Sequence, residues 1–566
     1  MGIIKSFLRK DPGTPIKGWV PRIKNLLIHH FRGIFGTLIL IILIILFLTS
    51  ESLFGKAMHP VTFMCLWMVV FWLLQPISVP ATGFIPIFFL PATGILSSTQ
   101  VCKCYFNENI AIFILSGMVL LLLNLSGMDK RIVLKLLCCG DVNKFTGISM
   151  VGKSAIAAFF LSMFCNRLLL TSVIVQYITP AYQNLQSYTS RYRATEPNYD
   201  EMRYIVLSCV QTSAAIGGTA ILHSSYATLA MRAIFESING SGSPYPDVFS
   251  FTQYFIFAFP LAFGIFILNT GYHMVLINRV TKKNMSISSK TEMMNSMLKY
   301  KSTIPKSATC HELLTIFSIF LYTLAMFGVS SQSTFLNIRS PQLPRLREAT
   351  VAALFVLLLH VVPRSCGFPK LVKAKKRSEL GVLKPESAIL WWKYVDRNSN
   401  YGYIFLIGAG VAIHTALFTK GLTIMNSVPG GLSPCSLLLI VGIIAVILAN
   451  IMSGVAACCC LLPIILNLIV SSLVTPNIYR MALAVGIGSS FGFMFPFLYT
   501  PAYYVHYEGK VPIHKMVIYS IGSLIICILL LWLAVCYWAP ILFSDTGVVQ
   551  VTTLPPEEAA PPAGGG

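Results

Sequence analysis

Residues 204–236 read YIVLSCVQTSAAIGGTAILHSSYATLAMRAIFE, an apolar segment that is longer than one membrane span and interrupted near its middle. About 20 apolar residues cross the ~30 Å hydrocarbon core of a bilayer as one helix. Gly217-Gly218 and then His223-Ser224-Ser225 place small and polar residues inside this segment. Irregular backbone at membrane depth requires protein or water to satisfy its polar groups. The segment therefore predicts a broken transmembrane helix, with a kinked helix carrying packing glycines as the alternative.

The same arrangement occurs a second time. Residues 480–507, RMALAVGIGSSFGFMFPFLYTPAYYVHY, are interrupted by several glycines and prolines. Each broken segment follows an apolar stretch, 152–180 or 433–474, with small or polar residues near its middle. We interpret each stretch as a re-entrant hairpin, with one irregular span as the alternative. Two hairpins, each followed by a broken helix, indicate the inverted repeats of transporters that bind substrate and ions near the bilayer midplane.

The composition supports lipid as the solvent of this chain. Its 566 residues are 55% hydrophobic and only 11% charged, whereas about a quarter of the residues in a soluble domain are charged. We therefore predict an all-α polytopic membrane protein with two re-entrant hairpins and about eleven transmembrane helices. The predicted spans are 34–50, 60–77, 80–97, 109–127, 204–236, 250–278, 309–329, 347–363, 401–423, 480–507 and 514–540.

The net charge of +22 is concentrated between the spans. Residues 1–33, 279–306 and 364–397 hold 23 of the 42 Lys and Arg. The positive-inside rule places such loops in the cytoplasm. If both hairpins return to the side they enter from, these loops lie on the side of the N-terminus, and the C-terminus lies outside. If the stretches 152–180 and 433–474 instead cross the membrane fully, the basic loops 279–306 and 364–397 lie on the side opposite the N-terminus. We expect a multi-pass protein of the plasma membrane, and no nucleic-acid partner.

Signals for an enzyme are weak. His311-Glu312 begins like a zinc-protease helix, but Thr315 stands where the second histidine is required. No phosphate-binding loop occurs, and the fifteen cysteines show no spacing typical of a metal centre or a disulfide framework. We expect no enzyme activity, no organic cofactor and no metal centre. Asn239 begins an N-x-Ser sequon in a loop predicted outside, and it is a candidate glycosylation site.

Several motifs resemble one transporter family. The run 72–98, WLLQPISVPATGFIPIFFLPATGILSS, is similar to the third-span region of the divalent anion–sodium symporter family. That family includes the sodium-coupled citrate and dicarboxylate transporters and the insect "I'm not dead yet" protein. Shorter motifs agree in the same order, at residues 128–132 (MDKRI), 161–164 (LSMF), 216–220 (IGGTA), 408–410 (GAG), 493–496 (FMFP) and 499–501 (YTP). The resemblance extends from about residue 20 to residue 540.

The resemblance implies a homodimer whose protomers each contain a scaffold domain and a mobile transport domain, with an elevator-type motion. It also implies di- and tricarboxylate substrates, usually with sodium coupling. The predicted organisation is 1–33 basic cytoplasmic tail; 34–150 scaffold helices and an interfacial segment; 151–240 first hairpin and broken helix of the transport domain; 250–400 scaffold helices with basic cytoplasmic loops; 401–508 ninth helix, second hairpin and broken helix of the transport domain; 514–540 last helix; and 541–566 disordered extracellular tail.

The predicted site departs from the family pattern. The resemblance implies a Ser-Asn-Thr motif at each hairpin tip, whose hydroxyl and amide groups contact the carboxylate while neighbouring oxygens hold sodium. The two tips align here to Asn166-Arg167-Leu168 and Ser453-Gly454-Val455, and only Ser453 keeps its residue type. Sodium is therefore a possible ion with a degraded site. The predicted substrate- and ion-binding residues are Asn166, Arg167, Leu168, Thr171, Gly217, Gly218, Thr219, His223, Ser224, Ser225, Ser453, Gly454, Val455, Tyr499, Thr500, Pro501 and Ala502.

Three of the predicted site features allow two interpretations. Arg167 either acts as a fixed cation that does part of the electrostatic work of sodium, or it snorkels or pairs with a local carbonyl in an inactive site. His223 either donates to an anion or is a structural histidine. Tyr499 and its neighbours Tyr503, Tyr504 and His506 form either an aromatic lining or core packing.

These features predict a secondary active transporter of small organic anions with weakened or absent sodium coupling. The alternative from another class is a transport-inactive relative that acts as a membrane scaffold or regulatory partner. A third possibility is a transporter of a different substrate, because both hairpin tips have changed together.

Overall fold

The structure is a computed structural model, and it describes residues 19–54, 59–188, 196–238, 249–281, 283–331, 346–365, 387–419, 433–471 and 478–543. Within these ranges the chain is helical, and the strand pairing is limited to one isolated bridge between Pro363 and Ala388. The prediction of an all-α fold is confirmed. The glycosylation candidate Asn239 and the predicted C-terminal tail beyond residue 543 lie outside the described residues.

The helices are numbered here in chain order. The first part contains α1 Trp19–Phe54, α2 Pro60–Leu74, α3 Ile85–Ala92, α4 Ser98–Tyr105, α5 Glu108–Val119, α6 Leu122–Ser126, α7 Met128–Leu137, α8 Gly147–Ser162, α9 Arg167–Tyr188, α10 Tyr199–Gly217 and α11 Tyr226–Phe235. The second part contains α12 Phe251–Val280, α13 Ile287–Ser302, α14 Cys310–Ser331, α15 Glu348–Val361, α16 Trp392–Asn398, α17 Gly402–Thr419, α18 Pro434–Met452, α19 Gly454–Ser471, α20 Ile478–Gly488, α21 Thr500–Tyr507, α22 Ile513–Leu533 and α23 Ala539–Leu542.

Seven helical segments of the described chain are long and apolar enough to cross a membrane. They are His29–Thr49, Ser98–Ser126, Phe251–Val280, Cys310–Ser331, Gly402–Thr419, Pro434–Met452 and Ile513–Leu542. The remaining predicted spans coincide with shorter apolar helices or with the two broken helices. The prediction of a polytopic membrane protein is therefore confirmed.

Both long segments are broken helices, as predicted, and neither is a kinked helix. In the first, α10 ends at Gly217, a 3₁₀ turn spans Leu222–Ser224, and α11 begins at Tyr226. In the second, α20 is followed by a 3₁₀ turn at Ser489–Phe491, and α21 begins only at Thr500. We call these two interruptions the first break and the second break.

Both interrupted stretches form a helix, a tight turn and a second helix. Hairpin 1 joins α8 to α9 through residues 163–166, and hairpin 2 joins α18 to α19 at Ser453. In each hairpin the two helices pack against each other. Ser453 has φ 98° and ψ 141°, a backbone conformation that L-residues other than glycine rarely adopt.

Each hairpin packs tightly against the broken helix that follows it. A Cβ atom on Gly217 would lie 2.2 Å from the carbonyl oxygen of Phe159 in hairpin 1. In the second half, a Cβ atom on Gly454 would lie 2.3 Å from the carbonyl oxygen of Ser489. Glycine is required at such positions because any side chain would displace the neighbouring backbone. The same hairpin-to-break contact therefore occurs in both halves of the fold.

The helices α12 and α22 pack against these two units. α12, which the sequence predicts as a scaffold helix, packs mainly against α10, α8 and α22. Cys310 is disulfide-bonded, and the other described cysteines are free.

Candidate functional site

The two hairpin tips and the two breaks meet at one cleft. Measured out to its opening, the cleft has an empty volume of about 750 Å³, which includes open solvent. Eleven of the predicted site residues line it: Asn166, Arg167, Leu168, Ser224, Ser225, Ser453, Gly454, Val455, Tyr499, Thr500 and Pro501. Ten others also line it: Leu120, Cys165, Tyr226, Ala227, Asn400, Tyr403, Ser489, Ser490, Gly492 and Leu498.

Four helices begin at the wall of this cleft. The first residues of α9, α11, α19 and α21 are Arg167, Tyr226, Gly454 and Thr500, and all four line the cleft. The N-terminus of a helix carries an effective charge of about +0.5 and free backbone N–H groups. Helix N-termini are therefore ready-made sites for anions. Their convergence makes the cleft electropositive before any side chain is considered.

Arg167 adds a full positive charge to this environment. The Asn166 Oδ1 atom accepts a hydrogen bond from the Leu168 amide at 3.0 Å and so caps α9. The Asn166 backbone amide donates to the Leu120 carbonyl at 3.1 Å, which fixes the hairpin tip against the end of α5. A Cβ atom on Gly218 would lie 2.9 Å from the Arg167 Nε atom, so the guanidinium crosses the first break directly above that glycine.

Arg167 has no acidic partner among the described residues, whose ion pairs all involve other side chains. The cation also stands at the positive end of a helix, where the helix dipole is unfavourable to it. An anion bound between Arg167 and the helix ends would be stabilised by both. No Asp or Glu is among the described residues that line the cleft.

Serine hydroxyl groups connect the two halves of the site. The Ser225 and Ser490 hydroxyls lie 2.8 Å apart, which joins the first break to the second. The Ser224 hydroxyl donates to the Ser162 carbonyl of hairpin 1 at 2.5 Å. The Ser489 hydroxyl is buried and has no hydrogen-bond partner within the described chain. Ser453, Ser489 and Ser490 supply oxygen atoms of the type that hard cations bind.

Asn450 satisfies the backbone that the second break leaves without helical hydrogen bonds. Its Nδ2 atom donates to the Phe491 carbonyl at 3.1 Å, and its Oδ1 atom accepts from the Met494 amide at 2.9 Å. At the first break, the Tyr254 hydroxyl donates to the Thr219 carbonyl at 2.8 Å. Side chains thus replace the missing helical bonds at both breaks, as membrane depth requires.

Aromatic side chains form part of the lining. Tyr499 lies beside the Arg167 guanidinium. The rings of Tyr226 and Tyr403 lie 5.2 Å apart, and the Asn400 amide donates to the Tyr226 hydroxyl at 3.4 Å. Sequence reasoning missed these last three residues. Tyr226 directly follows a predicted residue and could have been included, but nothing in the sequence connects Asn400 and Tyr403 with the breaks.

The structure places the other candidate aromatic residues away from the cleft. Tyr503 is exposed and stacks on Tyr507 at 5.9 Å. The Tyr504 hydroxyl accepts from the Gln176 amide at 3.4 Å, and the His506 Nδ1 atom contacts the Val511 carbonyl at 2.7 Å. Of this group, only Tyr499 belongs to the lining.

The remaining predicted site residues lie behind the lining. His223 is buried, stacks on Phe251 at 5.4 Å and packs edge-on against Tyr322 at 6.0 Å. Gly217 and Gly218 shape the first break without lining the cleft. Thr171, Thr219 and Ala502 are buried in or beside the helices. These contacts favour the interpretation of His223 as a structural histidine over that of an anion donor.

The chain is similar to transport proteins along nearly its whole length. The profile of a citrate transporter family matches residues 69–486. The "Protein I'm not dead yet" of Drosophila melanogaster is 22% identical over 571 residues, covering 95% of this chain and 92% of its own. The "Na(+)/citrate cotransporter" of Rattus norvegicus is 22% identical over 529 residues, covering 84% and 90%.

Two further similarities extend this set. The "Sodium-dependent high-affinity dicarboxylate transporter 3" of Caenorhabditis elegans is 22% identical over 547 residues, covering 94% of this chain and 91% of its own. Among solved structures, that of the YdaH transporter of Alcanivorax borkumensis matches 86% of this chain and 99% of its own, at 13% identity and a TM-score of 0.49.

Proposed function

Because the chain belongs to the citrate transporter family, we propose that it is a secondary active transporter of organic anions of the di- and tricarboxylate class. The family is one of transporters, so the chain is not an enzyme. The names of several relatives specify sodium-dependent transport of dicarboxylates or citrate. For this chain, the substrate class and the degree of sodium coupling are parts of the proposal.

One observation carries the proposal of an anion substrate. Four helix N-termini and the Arg167 guanidinium converge on a cleft whose described lining contains no carboxylate. A carboxylate in this cleft would accept hydrogen bonds from free backbone amides and fork onto the guanidinium. A transport-inactive scaffold has no need for an open electropositive cleft, so this geometry favours the transporter.

We propose that Arg167 does part of the work that sodium does in a coupled carrier. The family resemblance implies that sodium ions lie beside the hairpin tips, and Arg167 extends from the first tip across Gly218. A fixed cation cannot leave the site, so the empty cleft stays positively charged. Moving that uncompensated charge through a low-dielectric environment is costly. Exchange of one bound anion for another is therefore favoured over return of the empty carrier.

A weakened sodium dependence also belongs to the proposal. The oxygens of Ser453 at the second tip and of Ser489 and Ser490 at the second break are of the type that sodium binds. At the first tip, the proposal assigns this role to the Arg167 guanidinium. We therefore propose that sodium, where it contributes, binds at the second tip and is not required for exchange.

The proposed transport motion involves the two hairpins and the two broken helices together. Their contacts through Gly217, Gly454 and the Ser225–Ser490 bridge support a single mobile unit. The packing of α12 and α22 on this unit supports including both helices in it. The proposed arrangement is a homodimer in the plasma membrane with a cytoplasmic N-terminus and an extracellular C-terminus, as the loop charges and the family resemblance predict.

Uptake of labelled succinate and citrate into liposomes that contain the purified protein tests this function. We expect uptake by the unaltered protein and its loss in Arg167→Ala. The control is Lys103→Ala, which removes an exposed cation outside the cleft. Unchanged uptake by Arg167→Ala would contradict the role of the arginine, and absence of uptake by the unaltered protein would contradict the function itself.

A further inference from the structure

The cleft has an aromatic wall, formed by Tyr226 and Tyr403. Both rings are half-buried and line the cleft. Their centroids lie 5.2 Å apart with an interplanar angle of 48°. Phe113 supports the wall from behind, at 5.1 Å from Tyr226 and 70° to it. Two rings at such a spacing offer an aromatic surface to any third ring that enters.

The wall is held in place from several sides. Tyr226 is the first residue of α11, and its hydroxyl accepts from the Asn400 amide at 3.4 Å. Tyr403 lies in the first turn of α17. The start of that helix is fixed by Gly402, where a Cβ atom would lie 2.9 Å from the Cβ atom of Pro80. Rings fixed in this way give a rigid surface, and binding to it costs little conformational entropy.

Arg167, the helix ends and the two tyrosine rings all line the same cleft. The groups that would bind a carboxylate and the aromatic surface therefore border one common space.

From this arrangement, which rests on the proposed function, we infer that the cleft selects carboxylates that carry an aromatic ring. The carboxylate binds at Arg167 and the helix N-termini, and the ring packs against the wall of Tyr226 and Tyr403. Edge-on or offset packing with centroids about 4.5–7 Å apart is the favoured geometry. Aliphatic dicarboxylates bind through the same polar groups but leave the wall uncovered.

A matched pair of probes tests the inference on the purified full chain. Succinate and phenylsuccinate carry the same two carboxylates and differ by one ring. We expect phenylsuccinate to bind at least threefold more tightly, measured by titration calorimetry. In Tyr403→Leu, which keeps apolar volume and removes the ring, the affinity for phenylsuccinate should fall roughly threefold to tenfold more than the affinity for succinate. Tyr503→Leu, outside the cleft, should change neither.

Equal or tighter binding of succinate by the unaltered protein would overturn the inference and leave the proposed function standing. Equal weakening of both probes by Tyr403→Leu would overturn it in the same way. The comparison on the unaltered protein needs no variant to fold. If neither probe binds, the inference and the proposed function are both contradicted.

Discussion

The hydroxyl groups of Ser225 and Ser490 lie 2.8 Å apart, although the two residues are 265 positions apart in the chain. Ser225 ends the first break, and Ser490 lies in the 3₁₀ turn of the second. Both side chains are buried. The two halves of the site therefore share a direct polar contact between their irregular segments.

The contact between the two breaks should be measurable as a coupling energy. Ser225→Ala and Ser490→Ala should each lower the free energy of unfolding in detergent by about 0.5–1.5 kcal/mol. The double variant should lose less than the sum, because each single change already removes the shared hydrogen bond. Effects that add within experimental error would show that the two hydroxyls do not interact.

The backbone of Ser453 gives a second prediction. Its φ of 98° stores strain of order 1–3 kcal/mol in a residue with a side chain. Ser453→Gly should therefore raise the free energy of unfolding relative to Ser453→Ala, since both variants lose the hydroxyl and only glycine relieves the strain. Equal stability of the two variants would contradict the strained turn. Any loss of uptake that both variants share measures the contribution of the hydroxyl.

The close approach of Gly217 to hairpin 1 gives a third prediction. Gly217→Ala places a Cβ atom 2.2 Å from the Phe159 carbonyl oxygen, so the hairpin must shift. We expect a loss of about 1–3 kcal/mol in the free energy of unfolding, and loss of uptake. The control is Gly264→Ala in α12, where nothing lies within 4 Å of the added atom. Equal stability and equal uptake of the two variants would contradict the close contact between Gly217 and hairpin 1.

A buried ionic cluster gives a fourth prediction. Arg232 on α11 lies 2.8 Å from Glu236 and 3.0 Å from Glu348 on α15, with side chains that are 2–7% exposed. Arg232→Met leaves two buried carboxylates without this cation and should cost about 3–5 kcal/mol. In contrast, Lys515→Met breaks the more exposed pair with Glu201 and should cost at most about 1 kcal/mol. A denaturant titration of both variants checks the difference, and comparable losses would contradict it.

The architecture was largely predictable from the chain because its signals are local. A span that is too long for one helix, with Gly217-Gly218 inside it, predicts a break without any knowledge of its neighbours. The hairpins were recognised from small or polar residues inside apolar stretches. The position of α12 was harder to predict, since an apolar helix carries little information about which neighbours it packs against, and α12 lies on α8, α10 and α22.

The site was predictable where it lies on the tips and breaks. Arg167 stands out because a charge inside an apolar stretch is expensive and usually functional, and it lines the cleft. Tyr403 and Asn400 come from a segment with no motif of its own, and only the tertiary fold brings them to Arg167. His223 shows the opposite case. It lies at a break, but its ring points to Phe251 and Tyr322.

Counterflow without sodium tests the central claim most directly, namely that Arg167 lets the cleft exchange organic anions without a required sodium ion. Liposomes containing the purified protein are preloaded with unlabelled succinate or left empty, and uptake of labelled succinate is measured in choline and in sodium medium. We predict fast uptake into preloaded liposomes in both media, slow uptake into empty ones, and loss of exchange in Arg167→Ala. Uptake that requires sodium and is equally fast into empty and preloaded liposomes would contradict the account.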